Sequence, residues 1–231
     1  MSLATDHHNA PLLLLVHGWG LGPGVWQAMR RLLPSWPCLT VNLGFFSTPQ
    51  LQIPDDRPLL AVGHSLGFLW LLRQLPAAPW RSHCLGLLGI AAFSRFARAA
   101  DFDEGVPPRL LQRMRQRLPE DPAAVLQAFA QQGGMAITPP DKVADPTALL
   151  QGLAWLAEWD GRQTLQQWPG LVANLAARDD QVVPPLLSER CFTPAQQHWL
   201  QEGGHLLPLT RPEACARFVQ QFLPGSCGVF C

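Results

Sequence analysis

Residues 59–75, LLAVGHSLGFLWLLRQL, contain an apolar run (Leu59 to Val62), the five residues Gly63-His64-Ser65-Leu66-Gly67, and a second apolar run that Pro76 stops. The five residues match G-x-S-x-G, the pattern of a nucleophile elbow, in which a strand runs through a tight turn into a helix. Such a turn holds its serine in a strained conformation, with the hydroxyl exposed at the strand's carboxyl end. Gly63 and Gly67 keep bulk away where the turn passes its neighbours. The flanking strand and helix supply the context the motif needs. The plainer alternative is a strand–helix joint with an ordinary turn serine.

On both sides of this stretch, short apolar runs bounded by turn residues alternate with helical patterns, the signature of a parallel sheet covered by helices. The runs predict strands at Leu12–Val16, Leu39–Leu43, Leu59–Gly63, Cys84–Ile90, Leu171–Ala176 and Gln197–Leu200. Their continuous apolar character suits parallel strands buried on both faces. Helices are predicted at Trp26–Leu33, Leu66–Leu75 and Pro212–Phe222. Between Ser94 and Gly161 the alternation gives way to helical patterns at Pro108–Leu118, Pro122–Gln132 and Pro146–Glu158. An α/β core made of residues 1–93 and 162–231, with 94–161 inserted as a helical cap, is therefore expected. A cap at this point in the chain covers the carboxyl edge of the sheet, where open α/β sheets bind ligands. The alternative is that these helices merely pad the sheet.

The totals exclude several classes. With 231 residues, 48% apolar and 15% charged, the chain is long and apolar enough for a substantial core. Seventeen basic side chains balance seventeen acidic ones, which argues against a general nucleic-acid or anionic-membrane binder. Leu12 to Val16 is far too short to span a bilayer, and residues 1–10 show no signal peptide. A cytoplasmic monomer is expected. The six cysteines (Cys38, Cys84, Cys191, Cys215, Cys227 and Cys231) form no C-x-x-C pair and suggest neither a zinc nor a redox site. A Cys227–Cys231 disulfide is conceivable but unsupported. No metal or cofactor is expected.

A serine hydroxyl needs a base to become a nucleophile. His205, in Gly203-Gly204-His205-Leu206-Leu207-Pro208 just after the last predicted strand, can lean over the sheet edge toward Ser65. His64 should point away on so tight a turn, and His17 should structure its own loop. His83 and His198 read as structural, and His7 and His8 as tail residues. The third member is a carboxylate between serine and histidine in chain order. Ala177-Arg178-Asp179-Asp180-Gln181-Val182-Val183-Pro184 offers two. Asp180 is preferred; Asp179 can instead pair with Arg178 or cap the turn. The backbone N–H groups of Trp19, in Val16-His17-Gly18-Trp19-Gly20, and of Leu66 are the candidate oxyanion donors.

The joint set His17-Gly18-Trp19, Gly63-His64-Ser65-Leu66-Gly67, Asp180-Gln181-Val182-Val183-Pro184 and Gly204-His205 resembles the α/β-hydrolase superfamily in content and order. That fold usually opens with extra antiparallel strands, so here the mostly parallel sheet is trimmed at its N-terminus. Within the superfamily three stretches resemble the pimeloyl-carrier-protein methyl ester esterases of biotin synthesis: Val16 to Leu21, Arg109 to Gly133 and Leu149 to Pro169. The resemblance implies a serine carboxylesterase acting on pimeloyl-acyl-carrier-protein methyl ester. Trp19, Leu66 and Phe129 would line the pocket, and acyl-carrier protein would be the partner. Two departures stand out. Residues 44–58 are too short and Pro-rich for the helix the family inserts there, so Phe45 and Phe46 are expected to help cover that side. The basic run Arg109, Arg113, Arg115 and Arg117, of which the first, second and fourth are the candidate carrier contacts, comes one helix earlier than the family's, and Lys142 is the sole positive charge in the later lid stretch. The alternatives are a carboxylesterase for small free esters and a non-catalytic ligand-binding protein of the same fold.

Overall fold

The computed structural model describes residues 10–134 and 144–224. Lys142, Cys227, Cys231, His7 and His8 lie outside the described residues. Six strands form one sheet: β1 (Leu12–Val16), β2 (Cys38–Val41), β3 (Leu59–His64), β4 (Cys84–Ile90), β5 (Leu171–Ala177) and β6 (Gln197–Leu200). Their order is β2-β1-β3-β4-β5-β6, with every pair parallel. β1 and β3 are buried along their whole lengths, as central parallel strands covered on both faces must be.

Side chains alternate between the two faces of the sheet. Leu13 and Leu15 face a core shared with α1 (Gln27–Arg31) and α9 (Pro212–Gln220). Leu14 and Val16 face a larger core closed by α2 (Leu66–Gln74) and by the helices between β4 and β5. These are α3 (Pro108–Arg117), α4 (Pro122–Gln132) and α5 (Pro146–Glu158), with α6 (Arg162–Gln166) leading into β5. α7 (Pro185–Cys191) and the single turn α8 (Leu207–Thr210) complete the set. Proline at the first helical position opens α3, α4, α5, α7 and α9, where its missing N–H costs no hydrogen bond. Asp121 and Asp145 cap α4 and α5, their carboxylates accepting from Ala124 N–H and from Thr147 and Ala148 N–H.

The predicted strands agree with the observed ones to within two residues at each end. The observed helix, Gln27–Arg31, is shorter than the predicted Trp26–Leu33: Trp26 ends a 3-10 turn opened by Pro23, and the α-helix stops at Arg31 with Leu32 as its C-cap. No helix joins β2 to β3 among residues 42–58. Asn42 organises that connection: its amide donates to Ser47 Oγ (2.8 Å) and the Thr48 carbonyl (2.9 Å), and its oxygen accepts from Gly44 N–H. Phe45 is fully buried and Phe46 partly, both against the α2-side core, so aromatic side chains cover that side in place of a helix.

The helical segment leaves and rejoins the sheet through one stem. Ser94 carbonyl accepts from Gly161 N–H at 2.7 Å, and Arg95 and Asp160 form an antiparallel bridge. The Asp160 carboxylate pairs with both Arg95 and Arg162, and Arg162 also reaches Asp101. Partial burial opposes ionisation of Asp160, but hydrogen bonds from Arg162 and Arg95 outweigh it and bring its pKa to about 2. Among the described residues no helix is long and apolar enough to cross a membrane.

A folded-state value below the ordinary 3.8 means that Asp160 stabilises above about pH 4 and that this contribution is lost as pH falls toward 2. Asp160→Asn should lower Tm at pH 7 by roughly 2–4 °C, the shift that about 1 kcal/mol gives in a chain of this size. It should also flatten the wild-type fall in Tm between pH 4 and 2, both read by thermal melts. Parallel curves for the two proteins would remove Asp160 from that role.

Candidate active site

The turn after β3 forces an unusual backbone on Ser65, which has φ 53° and ψ −122°. For a side chain bearing a Cβ this is a strained region, tolerated only where the surroundings over-determine it. Two bonds do so: Ser65 N–H donates to the Ile90 carbonyl and Ser65 carbonyl accepts from Phe68 N–H, each at 3.0 Å. The two motif glycines are sterically required. A Cβ on Gly63 would sit 2.4 Å from the Phe68 backbone, and one on Gly67 would sit 2.2 Å from the Val16 carbonyl oxygen.

His205 comes from the loop after β6 and Asp180 from the turn after β5. His205 Nδ1–H donates to Asp180 Oδ2 (2.9 Å), which leaves Nε2 to accept from the Ser65 hydroxyl (3.0 Å). The other carboxylate oxygen of Asp180 accepts from Val182 and Val183 N–H, both at 2.8 Å. All three side chains are buried, with Ser65 at 4% exposure. A neutral imidazole so oriented can take a proton from the serine, and the carboxylate fixes its tautomer.

Neither Trp19 N–H nor Leu66 N–H donates to any described protein atom, and Leu66 is the first residue of α2, where N–H groups have no intrahelical acceptor. His17 fixes the Trp19 loop: Nδ1–H donates to the Gly18 carbonyl (2.9 Å) and Nε2 accepts from Leu43 N–H (3.1 Å). The Trp19 indole is buried and donates to the Leu149 carbonyl of α5 (2.9 Å). The Phe129 ring of α4 meets it edge-on at 5.1 Å and stands 6.1 Å from the His205 ring. Of the three residues expected to line the pocket, Phe129 alone is partly exposed and its ring meets both Trp19, from the loop after β1, and His205; Trp19 and Leu66 are buried in the core.

Several contacts were invisible in the sequence. Asp179 does not pair with Arg178, which instead bonds Glu189 and lies over the Trp199 ring. Its carboxylate accepts from Gly203 N–H (3.1 Å) and Gly204 N–H (2.9 Å). His64 points away from the serine hydroxyl, and its Nε2–H donates to the His205 carbonyl at 3.0 Å. The Gly133 carbonyl, at the end of α4, accepts from His205 N–H (3.1 Å). The neighbouring Gln132 side chain donates to the Gln181 carbonyl (3.0 Å). Only the Gly203-Gly204 pair gave any signal, by marking an unusual backbone. Arg109, Arg113 and Arg117 are exposed on α3 and in no ion pair among the described residues. A separate cleft of about 880 Å³ beside the stem is lined by Ser94, Asp160, Arg162, Trp168 and Arg190, and none of Ser65, Asp180 or His205 borders it.

The backbone superposes on an esterase from Exiguobacterium antarcticum with TM-score 0.77 at 16% identity, covering 92% of this chain and 91% of that one. The fold is that of the α/β-hydrolases. No protein-family model matches this chain. Its sequence is 28% identical over 247 residues to a pimeloyl-[acyl-carrier protein] methyl ester esterase of Xanthomonas oryzae pv. oryzae, covering 93% of the chain and 96% of the relative. It is 29% identical over 244 residues to the biotin biosynthesis bifunctional protein BioHC of Cellvibrio japonicus, and it spans about half (47%) of that longer protein.

Burial lowers His17 to about 4, with its hydrogen bonds only partly offsetting the effect. Burial, aided by the neighbouring His205, lowers His64 to about 3. Unfolding returns both toward 6.5, so between about pH 6.5 and 4 the unfolded chain binds more protons and stability must fall as the pH drops. His64→Gln should lessen that fall, measured as the urea midpoint at each pH. Wild-type stability that is flat from pH 7 to 4 would contradict both assignments.

Proposed function

We propose that this carboxylic ester hydrolase cleaves the methyl ester of a pimeloyl chain carried by acyl-carrier protein, in biotin synthesis, through Ser65, His205 and Asp180. The observation that carries the reading is the hydrogen-bond chain Ser65 Oγ–His205 Nε2 and His205 Nδ1–Asp180 Oδ2, at 3.0 and 2.9 Å, on a serine with positive φ. The similarity to pimeloyl-[acyl-carrier protein] methyl ester esterases supports the substrate class.

Ser65 Oγ attacks the ester carbonyl as its proton passes to His205 Nε2. The carbonyl oxygen becomes an oxyanion held by the Trp19 and Leu66 N–H groups, an interaction worth about 10²–10³ in rate per donor. His205 gives the proton to the departing methoxide, methanol leaves, and an acyl-serine remains. Water enters and attacks the acyl carbon as His205 takes its proton; the second tetrahedral intermediate then collapses as His205 returns that proton to Ser65 Oγ, which frees the acid and regenerates the serine. Asp180 steadies the imidazolium throughout.

Residues 94–161 serve as the cap over this site, and the partly buried Phe129 ring, beside Trp19 and His205, offers an apolar contact for a methylene chain. The exposed arginines Arg109, Arg113 and Arg117 of α3 face an acidic carrier. In this reading the protein works as a monomer in the cytoplasm.

Purified protein should hydrolyse pimeloyl-acyl-carrier-protein methyl ester, and Ser65→Ala should reduce kcat by on the order of 10⁶-fold. Hydrolysis of a short free ester with the carrier ester untouched would keep the hydrolase and end the biotin assignment. Arg113→Glu with Arg117→Glu should raise KM for the carrier ester by about tenfold, through lost charge complementarity, and leave free-ester hydrolysis unchanged. Equal effects on both substrates would remove α3 from carrier docking.

A further inference from the structure

The adjacent carboxylates Asp179 and Asp180 hold the same histidine by different handles. Asp180 bonds the ring of His205. Asp179 bonds the backbone that delivers the ring, accepting from Gly204 N–H at 2.9 Å and Gly203 N–H at 3.1 Å. Those two glycines have φ 63° and 153°, a backbone that side chains bearing a Cβ rarely adopt. Two consecutive glycines are also the most costly residues to immobilise, because each has the widest range of conformations to lose. The described hydrogen bonds give their N–H groups no acceptor other than Asp179. On the opposite side Thr210 Oγ1 donates to the Gly203 carbonyl at 2.7 Å, and Gly133 carbonyl and His64 hold the His205 peptide itself. Burial opposes charge on Asp179, but the Gly204 and Gly203 N–H groups and nearby Arg211 outweigh it and hold the carboxyl below its ordinary value. The anchor is therefore an anion at neutral pH.

We propose that Asp179 is a positioning residue for the general base: its carboxylate fixes the Gly203-Gly204 peptides so that His205 Nε2 stays within hydrogen-bond reach of Ser65. This rests on the serine–histidine–aspartate reading above and assigns the second carboxylate of the pair a role in turnover. The contribution is smaller than that of Asp180, because Gly133 and His64 still hold the His205 peptide when Asp179 is removed. It is larger than that of an ordinary turn residue, because a displacement of about 1 Å at a reacting atom can cost on the order of 10²-fold in rate.

The test uses the full chain with Asp179→Ala, Asp179→Asn, Asp180→Asn and Ser65→Ala, assayed on p-nitrophenyl butyrate and on a fluorophosphonate that labels Ser65. Asp179→Ala should lower kcat by about 10- to 100-fold with KM within about twofold, and should slow phosphonylation by the same factor. Asp179→Asn retains one acceptor oxygen and should recover part of the loss. Asp180→Asn should fall furthest, by up to about 10⁴-fold. Asp179→Ala with wild-type kcat, or an Asn variant no better than Ala with the loss following Tm alone, overturns the positioning role. If Asp179→Ala fails to fold, the Asn variant decides: phosphonylation at the wild-type rate sinks the proposal, and slowed phosphonylation at unchanged Tm upholds it. Full activity in Ser65→Ala would instead strike the underlying catalytic reading, so the two failures are distinguishable.

Discussion

Strand β3 and helix α2 are joined through a single residue, Ser65, and the other features of the site are arranged around that crowding. The chain can turn so sharply only by taking Ser65 to φ 53° and by passing Gly67 against the Val16 carbonyl with no room for a methyl group. A strained residue of this kind costs on the order of 1–3 kcal/mol and persists because the surrounding structure permits nothing else. The bond from Ser65 N–H to Ile90 ties the turn to β4, and the burial of α2 against the sheet supplies the opposing stabilisation. In return the hydroxyl stands at the sheet's carboxyl edge beside the free N–H at the start of a helix. Neighbouring strands then need only end in loops of the right length to bring their side chains within reach.

Three buried histidines sit around that edge, and their surroundings separate them. The rings of His17 and His64 hydrogen-bond to backbone groups and have no carboxylate beside them among the described residues, and burial keeps them uncharged well below neutral pH. His205 alone has a carboxylate at its ring, the partner an imidazolium needs. One residue type thus does two jobs within a few ångströms: neutral rings lock the loops carrying Trp19 and His205, and a carboxylate-backed ring faces the serine.

What could be read from the sequence divides along physical lines. The six strands were legible because parallel strands buried on both faces leave long apolar runs, and the elbow because its glycines are sterically compulsory. The meeting of Ser65, Asp180 and His205 side chains was legible because a fixed strand order turns chain order into spatial order. The helix after Trp26 was overextended because apolar spacing neither tells a 3-10 turn from an α-turn at its start nor marks the residue at which a short helix ends. The pairing of Asp179 with Gly203 and Gly204 was missed because two adjacent aspartates look equivalent until the backbone sends them to different partners. The Gly133 carbonyl bond left no trace, since a main-chain acceptor has no side-chain identity to read.

That last bond has a consequence for how the enzyme is entered. The end of α4 is joined to the His205 amide through Gly133 and to the Asp180 turn through Gln132. If residues 94–161 act as the proposed cap, the end of α4 is at once cover and part of the frame that holds His205. In that reading an ester entering by displacement of α4 would loosen the His205 backbone, so entry along that path and readiness of the proposed base would oppose each other.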